Sequence, residues 1–183
     1  ASFPVFLVVF LMGSWAGAEP GHPIYVNCHN TSGQEDGLGW GTAFTTLQPG
    51  LDTAARTGGG EVWVAKGTYG EIRDNTGALG SLVLWSGVDV LGGFEGTELL
   101  RDERDPATHP TVIDGSASRL EGETLQPAYH VVWGNNLSDA VLDGFLIAGG
   151  LCLCQSAPDE SAGGGLFLSD TDDTVLLERL TLY

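Results

Sequence analysis

Basic residues are scarce in this chain of 183 residues, in which seven Lys and Arg stand against 24 Asp and Glu. The formal charge of −17 repels phosphate backbones and anionic lipid headgroups. Nucleic acid and anionic membranes are therefore not expected partners. Solubility is the simplest interpretation of the acidic surface, and divalent-cation binding is the more specific alternative.

Cysteine is also scarce, with three residues in the whole chain. Cys152 and Cys154 are separated by one residue, a spacing that strains a disulfide. A bridge from Cys28 to either of them would leave an odd thiol. The three positions fit neither a disulfide scaffold nor a zinc site, and we expect these cysteines to be small buried hydrophobes.

Long apolar runs are missing, apart from residues 3–12. That run of about ten residues is too short to span a bilayer core of ~30 Å. It is followed by Ala16-Gly17-Ala18, which has the small-x-small form of a signal-peptidase site. We therefore predict a signal peptide at residues 1–18, no membrane span within residues 19–183, and a secreted or cell-surface location.

Glycine, in contrast, is abundant at 28 residues, and several glycines close a phrase that recurs along the chain. Two or three aliphatic residues precede an acidic residue or Gly, and then Gly, at residues 88–94, 111–115 and 140–145. A degenerate copy lies at residues 174–180, and the aligned valines are 24, 29 and 34 residues apart. A period that lengthens by insertion is typical of a solenoid, in which each copy forms one coil.

The apolar segments of the chain are short and flanked by Gly, Asp or Asn, which predicts strands. No long helices separate them, so a doubly wound α/β sheet is disfavoured, whereas a β-sandwich or a propeller stays open. The recurring phrase favours a solenoid of stacked coils. In that arrangement we expect Val112 to stack on Val141 and Val175, and Asp114 to stack on Asp143 at a turn.

One helix is predicted at about residues 40–56, because apolar residues recur there at helical spacing. Pro49 and Gly50 interrupt this pattern, and proline is tolerated in the first turn of a helix but not in its interior. The helix therefore either begins near Gln48 and is short, or is kinked there. The coils are predicted to start at about residue 61.

Several segments carry a resemblance to a known family, and they are residues 24–27, 39–44, 47–48, 62–69, 90–98, 104–106, 142–150 and 163–166. They resemble the start of a right-handed parallel β-helix protein of the pectin-lyase-like superfamily. Within it, the likeness is to bacterial secreted or surface proteins with polymorphic-outer-membrane-protein-like repeats. The resemblance implies an all-β solenoid with a short N-terminal capping helix. It also implies that residues 19–183 are the N-terminal part of the β-helix domain, with further coils beyond Tyr183.

The superfamily includes lyases and hydrolases that act on acidic polysaccharides, but the resemblance alone carries no activity. A lyase needs a base, often Arg or Lys. The candidates are Arg56, Lys66, Arg73, Arg101, Arg104, Arg119 and Arg179. None of them lies in a Gly-His-Gly or Arg-x-Lys motif like those of the hydrolase branch of the superfamily. Arg101 and Arg104 alternate with acidic residues, which predicts local ion pairs, so we assign no catalytic residue.

The sequence thus favours a non-catalytic scaffold whose long face binds an extracellular glycan or a surface protein. The alternative is a polysaccharide lyase or glycoside hydrolase for acidic polysaccharides, with its active site largely outside these residues. Trp40, Trp63, Trp85 and Trp133 could stack on sugars where they are exposed. Their apolar surroundings predict that most of them are core residues. No cofactor is assigned.

One acidic cluster is a candidate metal site. Asp170, Asp172 and Asp173 stand beside Ser169 and Thr171, and hard oxygen ligands suit Ca²⁺. The segment lacks the EF-hand spacing, with its Gly and final Glu. A solvated turn is the simpler interpretation, and Ca²⁺ binding is the alternative to be tested.

Overall fold

The structure is a computed structural model that describes residues 21–73, 79–151 and 164–183. These ranges contain 14 strands and one α-helix, so the chain is mostly β. The signal peptide predicted for residues 1–18 lies outside the described residues. Parallel sheets hold all of these strands except the two of one short hairpin.

Three parallel sheets are built from strands that lie side by side in chain order. The first consists of β1 (Ile24–Val26), β2 (Gly60–Ala65), β5 (Val88–Phe94), β10 (Val141–Asp143) and β13 (Leu176–Glu178). The second consists of β3 (Gly67–Tyr69), β6 (Thr111–Asp114), β11 (Phe145–Ala148) and β14 (Thr181–Leu182). The third consists of β4 (Leu82–Val83), β9 (Val132–Asn135) and β12 (Leu166–Ser169). The antiparallel hairpin is formed by β7 (Arg119–Glu121) and β8 (Thr124–Gln126).

From β2 onward the chain visits the first, second and third sheets in an unchanging order. β2, β3 and β4 make one passage, β5, β6 and β9 the next, and β10, β11 and β12 the third, while β13 and β14 belong to a fourth. The β7–β8 hairpin is inserted in the second passage. Parallel pairing excludes the antiparallel sandwich and the propeller that the sequence left open. The prediction of a β-rich chain with one helix is confirmed.

The register of the sheets corrects the predicted column of valines. Val112 lies in the second sheet, where its neighbour is Leu146. Val141 lies in the first sheet, between Asp89 and Leu176. The two copies of the phrase that contain these valines belong to different sheets, so the prediction that they stack is wrong.

The predicted pair of aspartates is wrong for the same reason. Asp114 ends β6 and lies opposite Ala148, whereas Asp143 ends β10, between Leu91 and Glu178. Aliphatic residues followed by Asp-Gly encode a strand and the turn after it. Such a turn follows strands of the first and second sheets alike, so the phrase marks strand ends without identifying the sheet.

The helix, α1, spans Leu47–Arg56, and Trp40–Thr42 forms a separate 3-10 turn. The predicted range of about 40–56 is therefore too long at its N-terminal end. The alternative of a short helix that begins near Gln48 agrees with the structure within one residue. No helix in the described ranges is long and apolar enough to cross a bilayer.

Pro49 and Gly50 fit this helix instead of breaking it. Pro49 is the third helical residue, where a backbone N–H would have no partner within the helix. Gly50 faces β1 so closely that a Cβ atom there would lie 2.6 Å from Cγ2 of Val26. Leu51, the next residue, is completely buried. The Pro-Gly pair thus lets the first turn of the helix approach the sheet.

The helix also supplies hydrogen bonds to β4, the outermost strand of the third sheet. The N–H of Val83 donates to Oε1 of Gln48 at 2.8 Å, and Nε2 of Gln48 donates to the carbonyl of Val83 at 3.2 Å. At the start of the helix, the Glu71 carboxylate accepts from the N–H of Leu47 at 3.0 Å. The helix thus covers the edge strand β4, and its side chains satisfy backbone groups of that strand.

One hydrophobic core joins the three sheets and the helix. Its members from the sheets include Val62, Val90, Leu142, Ile113, Phe145, Ile147, Leu82 and Val132. The first two passages add buried residues from every sheet to this core, and the third adds Leu142, Phe145 and Ile147 with partly buried Leu166 and Leu168. Burial of this kind scales with the number of passages, because one passage alone cannot enclose its apolar side chains.

A second, smaller cluster lies on the opposite face of the first sheet, because side chains alternate along a strand. Tyr25 of β1 and Trp63 of β2 point away from the main core and pack with Phe94. The rings of Trp63 and Phe94 stack with centroids 4.7 Å apart. Trp40 joins the cluster through an edge-on contact with Tyr25. The 3-10 turn is thereby fixed on the outside of the sheet.

Candidate functional site

Three of the seven basic side chains line one cleft of about 510 Å³. Arg101 and Arg104 belong to the segment between β5 and β6, and Arg179 directly follows β13. Acidic Asp143 and Glu178 line the same cleft. Spacing along the sequence did not predict that these side chains lie together, because their proximity depends on which strands of the first sheet are neighbours.

Asp143 lies at the centre of this cleft, and its carboxylate is almost completely buried. Nη2 of Arg104 and Nη2 of Arg179 both donate to Oδ2, and Nε of Arg179 donates to Oδ1 at 2.7 Å. Arg104 also donates to the carbonyl of Gly92 at 3.0 Å. Burial raises the pKa of Asp143, but the hydrogen bonds from Arg179 and Arg104 outweigh it and hold this pKa below its ordinary value.

Arg101 is engaged separately. Its Nη1 donates to Oε1 of Glu61 in β2 at 2.7 Å. Arg101 and Arg104 are thus ion-paired, but the prediction that these pairs are local to the loop is wrong, because the partners are Glu61 and Asp143. The pairs fasten the loop after β5 onto the first sheet instead of stabilising the loop locally.

The other basic side chains of the described ranges are also engaged. The contacts are Lys66 with Glu95, Arg73 with Glu71, Arg119 with Glu121, and Arg56 with the hydroxyl of Thr53. Each basic side chain of the described ranges thus has at least one polar partner within the protein. Nη1 of Arg73 is buried without a hydrogen bond to any described residue.

The predicted metal ligands lie between β12 and β13, in an exposed turn. Oδ1 of Asp172 accepts from the N–H of Thr174 at 3.0 Å and also from its hydroxyl. Asp170 has a positive φ of 51°. Among the described residues, no three His, Cys, Asp or Glu side chains are grouped to hold a metal ion, and Asp173 does not complete such a group. Ca²⁺ binding at this turn stays a prediction.

Cys28 is partly buried and packs against the main core. Burial raises the pKa of its thiol. Gly67 approaches it closely, since a Cβ atom at Gly67 would lie 2.5 Å from Sγ of Cys28. The interpretation as a small hydrophobe therefore agrees with the packing of Cys28. Cys152 and Cys154 lie outside the described residues.

The four tryptophans singled out in the sequence differ in exposure. Trp63 is buried, and Trp40 and Trp133 are partly buried. Trp85 leaves 42% of its surface exposed. It lines a shallow depression of about 350 Å³ together with Asp52, Ala55 and Arg56 of the helix. Trp85 is therefore the most exposed of the four.

Comparison with known proteins gives no identification. No family model matches the chain, and searches of curated proteins and of solved structures found no match either.

Proposed function

We propose that this chain is a right-handed parallel β-helix of the pectin-lyase-like superfamily. The observation that carries the proposal is the unchanging order in which the chain visits three parallel sheets. Each passage corresponds to one coil, and α1 corresponds to the capping helix. The right hand follows from a general rule, since about 98% of crossovers between parallel strands of one sheet are right-handed.

The function we propose is that of a secreted or cell-surface scaffold that binds a glycan or a protein partner without transforming it. Stacked coils present long lateral surfaces, which suit extended partners. The ion pairs of Arg101, Arg104 and Arg179 support a structural role for these side chains, because each one joins a loop or a strand end to a carboxylate of the first sheet. Secretion rests on the predicted signal peptide.

The proposal is tested by measuring binding and turnover on the same samples. The protein is titrated against a panel of neutral and acidic polysaccharides and extracellular-matrix proteins by biolayer interferometry. Parallel incubations are assayed for unsaturated uronates and for new reducing ends. Saturable binding with no product supports the scaffold. Product above that of a heat-inactivated control would instead support the lyase or hydrolase.

A crystal structure tests the fold independently of the function. A closed right-handed path through the three sheets is expected. An open arrangement of the sheets, or a left-handed path, would contradict the β-helix even where binding is observed.

A further inference from the structure

The exposed ring of Trp85 is held in one orientation by a chain of hydrogen bonds. Its indole N–H donates to Oδ1 of Asp52 at 2.9 Å. The same oxygen accepts from Nε2 of Gln48 at 2.9 Å. Gln48 is itself bound to the backbone of Val83 on both sides. The ring is thus tied, through two helix side chains, to a strand of the third sheet.

This fixed orientation matters for binding. A ligand that stacks on a mobile side chain must first order it, at a cost in conformational entropy. The ring of Trp85 is ordered before a ligand arrives, although 42% of its surface faces solvent. An exposed aromatic ring with an anchored edge is therefore a preorganised flat platform.

The groups around the platform are a matched donor and acceptor. Arg56 carries guanidinium N–H donors, and Asp52 carries carboxylate acceptors. Within the described residues, Oδ2 of Asp52 has no hydrogen-bond partner, whereas Oδ1 accepts two. A donor and an acceptor beside an apolar ring suit sugar hydroxyls, which both donate and accept, while the ring covers the C–H face of the sugar.

The charges around Trp85 disfavour both acidic and cationic ligands. An acidic sugar is disfavoured by the Asp52 carboxylate and by the formal charge of −17 on the chain. A cationic side chain is disfavoured by Arg56, which lines the same depression. The depression of about 350 Å³ lies at the lower end of the size range of small-ligand sites. A neutral ligand of about one sugar ring fits both the charge and the size.

We propose that Trp85, Asp52 and Arg56 form a binding site for one pyranose ring of a neutral glycan. The ring stacks on the indole of Trp85, and its hydroxyls bridge the free carboxylate oxygen of Asp52 and the guanidinium of Arg56. This site rests on the proposed scaffold function, and it names the ligand class and the place of contact.

The test uses neutral hexasaccharides as probes, namely cellohexaose, maltohexaose and mannohexaose, with hexagalacturonate and N-acetyl-lysine methyl ester for comparison. Binding is measured by calorimetry and by tryptophan fluorescence. We expect at least one neutral hexasaccharide to bind more tightly than either charged probe. Trp85→Ala should weaken it about tenfold or more, the loss of one stacking contact and its hydrogen bond. Trp85→Phe keeps the stacking surface and should lose less.

The control is Tyr183→Ala, which removes another exposed aromatic ring. It should leave affinity unchanged, and circular dichroism establishes that each variant is folded. Binding of neutral glycan that is unaffected by Trp85→Ala would overturn the site and leave the scaffold function standing. Tighter binding of hexagalacturonate or of the lysine ester would overturn the ligand class. Absence of any hexasaccharide binding would overturn the site, and the wider panel then decides whether the scaffold function fails too.

Discussion

The three parallel sheets differ between the edge that α1 covers and the opposite edge, formed by β13 and β14. At the helix end, Leu51 is completely buried, and Gln48 satisfies the backbone of Val83. At the other end, Leu177 of β13 and Leu182 of β14 leave 41% and 56% of their surface exposed. Both ends contain aliphatic strands. A strand sequence therefore does not determine its own burial, which depends on the layer that covers it.

The end without the helix has a different kind of attachment. Arg179, which follows β13, donates to the carboxylate of Asp143 in the neighbouring strand, and Arg104 donates to the same carboxylate. The helix end thus combines apolar burial with the Glu71 carboxylate, which accepts from the N–H of Leu47, whereas the exposed end has an ion cluster centred on Asp143. Apolar burial is insensitive to pH, whereas the ion cluster depends on it.

The largest difference between the ends is expected for a leucine truncation. Leu51→Ala should lower the free energy of unfolding by about 2–5 kcal/mol, because it leaves a cavity under the helix. The matched control is Leu177→Ala at the exposed end, which should cost less than about 1 kcal/mol. Urea unfolding followed by circular dichroism measures both. Equal losses would contradict the contrast between a covered and an uncovered end.

A smaller loss is expected when the hydrogen bonds to the edge strand are removed. Gln48→Ala leaves the N–H and the carbonyl of Val83 without their side-chain partners, at a cost of about 1–3 kcal/mol. Gln34→Ala is the control, because Gln34 is exposed and its side chain makes no hydrogen bond within the described residues. The same unfolding experiment compares them. A loss at Gln48 no greater than that at Gln34 would show that water replaces the amide at this edge.

Acid should loosen the exposed end before the helix end. The pKa of Asp143 lies below its ordinary value of 3.8, so its stabilising contribution is complete above that value. The contribution is lost as the pH falls through the lowered pKa. Amide protection factors, corrected for intrinsic exchange, should therefore decrease below pH 3.8 in β13 ahead of β2.

Asp143→Asn is the variant that isolates this effect. Asparagine cannot pair as an anion with Arg104 and Arg179, so β13 should already exchange faster at neutral pH. Acid should then change its protection little. Simultaneous loss of protection in β13 and β2 of the unmodified protein would mean that the chain opens as one unit.

The smallest effect is expected from calcium, which would act within the exposed end. Asp170, Asp172 and Asp173 lie just before β13, and Asp172 is already bonded to Thr174. Millimolar Ca²⁺ should therefore raise Tm by a few degrees at most, through weak binding to the folded state. Scanning calorimetry with Mg²⁺ at equal ionic strength is the comparison. No shift specific to Ca²⁺ would rule out the site.

Local features of the fold could be predicted from the sequence. Short strands flanked by Gly and Asp, and a helix that starts near Pro49, follow from turn chemistry and from the permitted positions of proline. The neighbours of each strand could not be predicted in this way. The recurring segments that contain Val112 and Val141 are alike because each is a strand followed by an Asp-Gly turn. Nothing in the local sequence shows that the two strands belong to different sheets.

The candidate sites were less predictable than the fold. The pairing of Arg101 with Glu61 required the arrangement of β2 beside β5, which spacing along the chain does not encode. Trp85 was one of four tryptophans in similar apolar contexts, and its exposure depends on where α1 lies. The residue types indicated which interactions each side chain can make, whereas tertiary contacts determined which side chains are paired and which are exposed.

The β7–β8 hairpin offers a position at which this fold can accept an inserted segment. The hairpin pairs with itself, and the sheets keep their order on either side of it. At its tip, Gly122 is exposed and has open space where a side chain would project. Exposed loop tips accept insertions well. A peptide or a small domain inserted at Gly122 would project from this hairpin without interrupting the three parallel sheets.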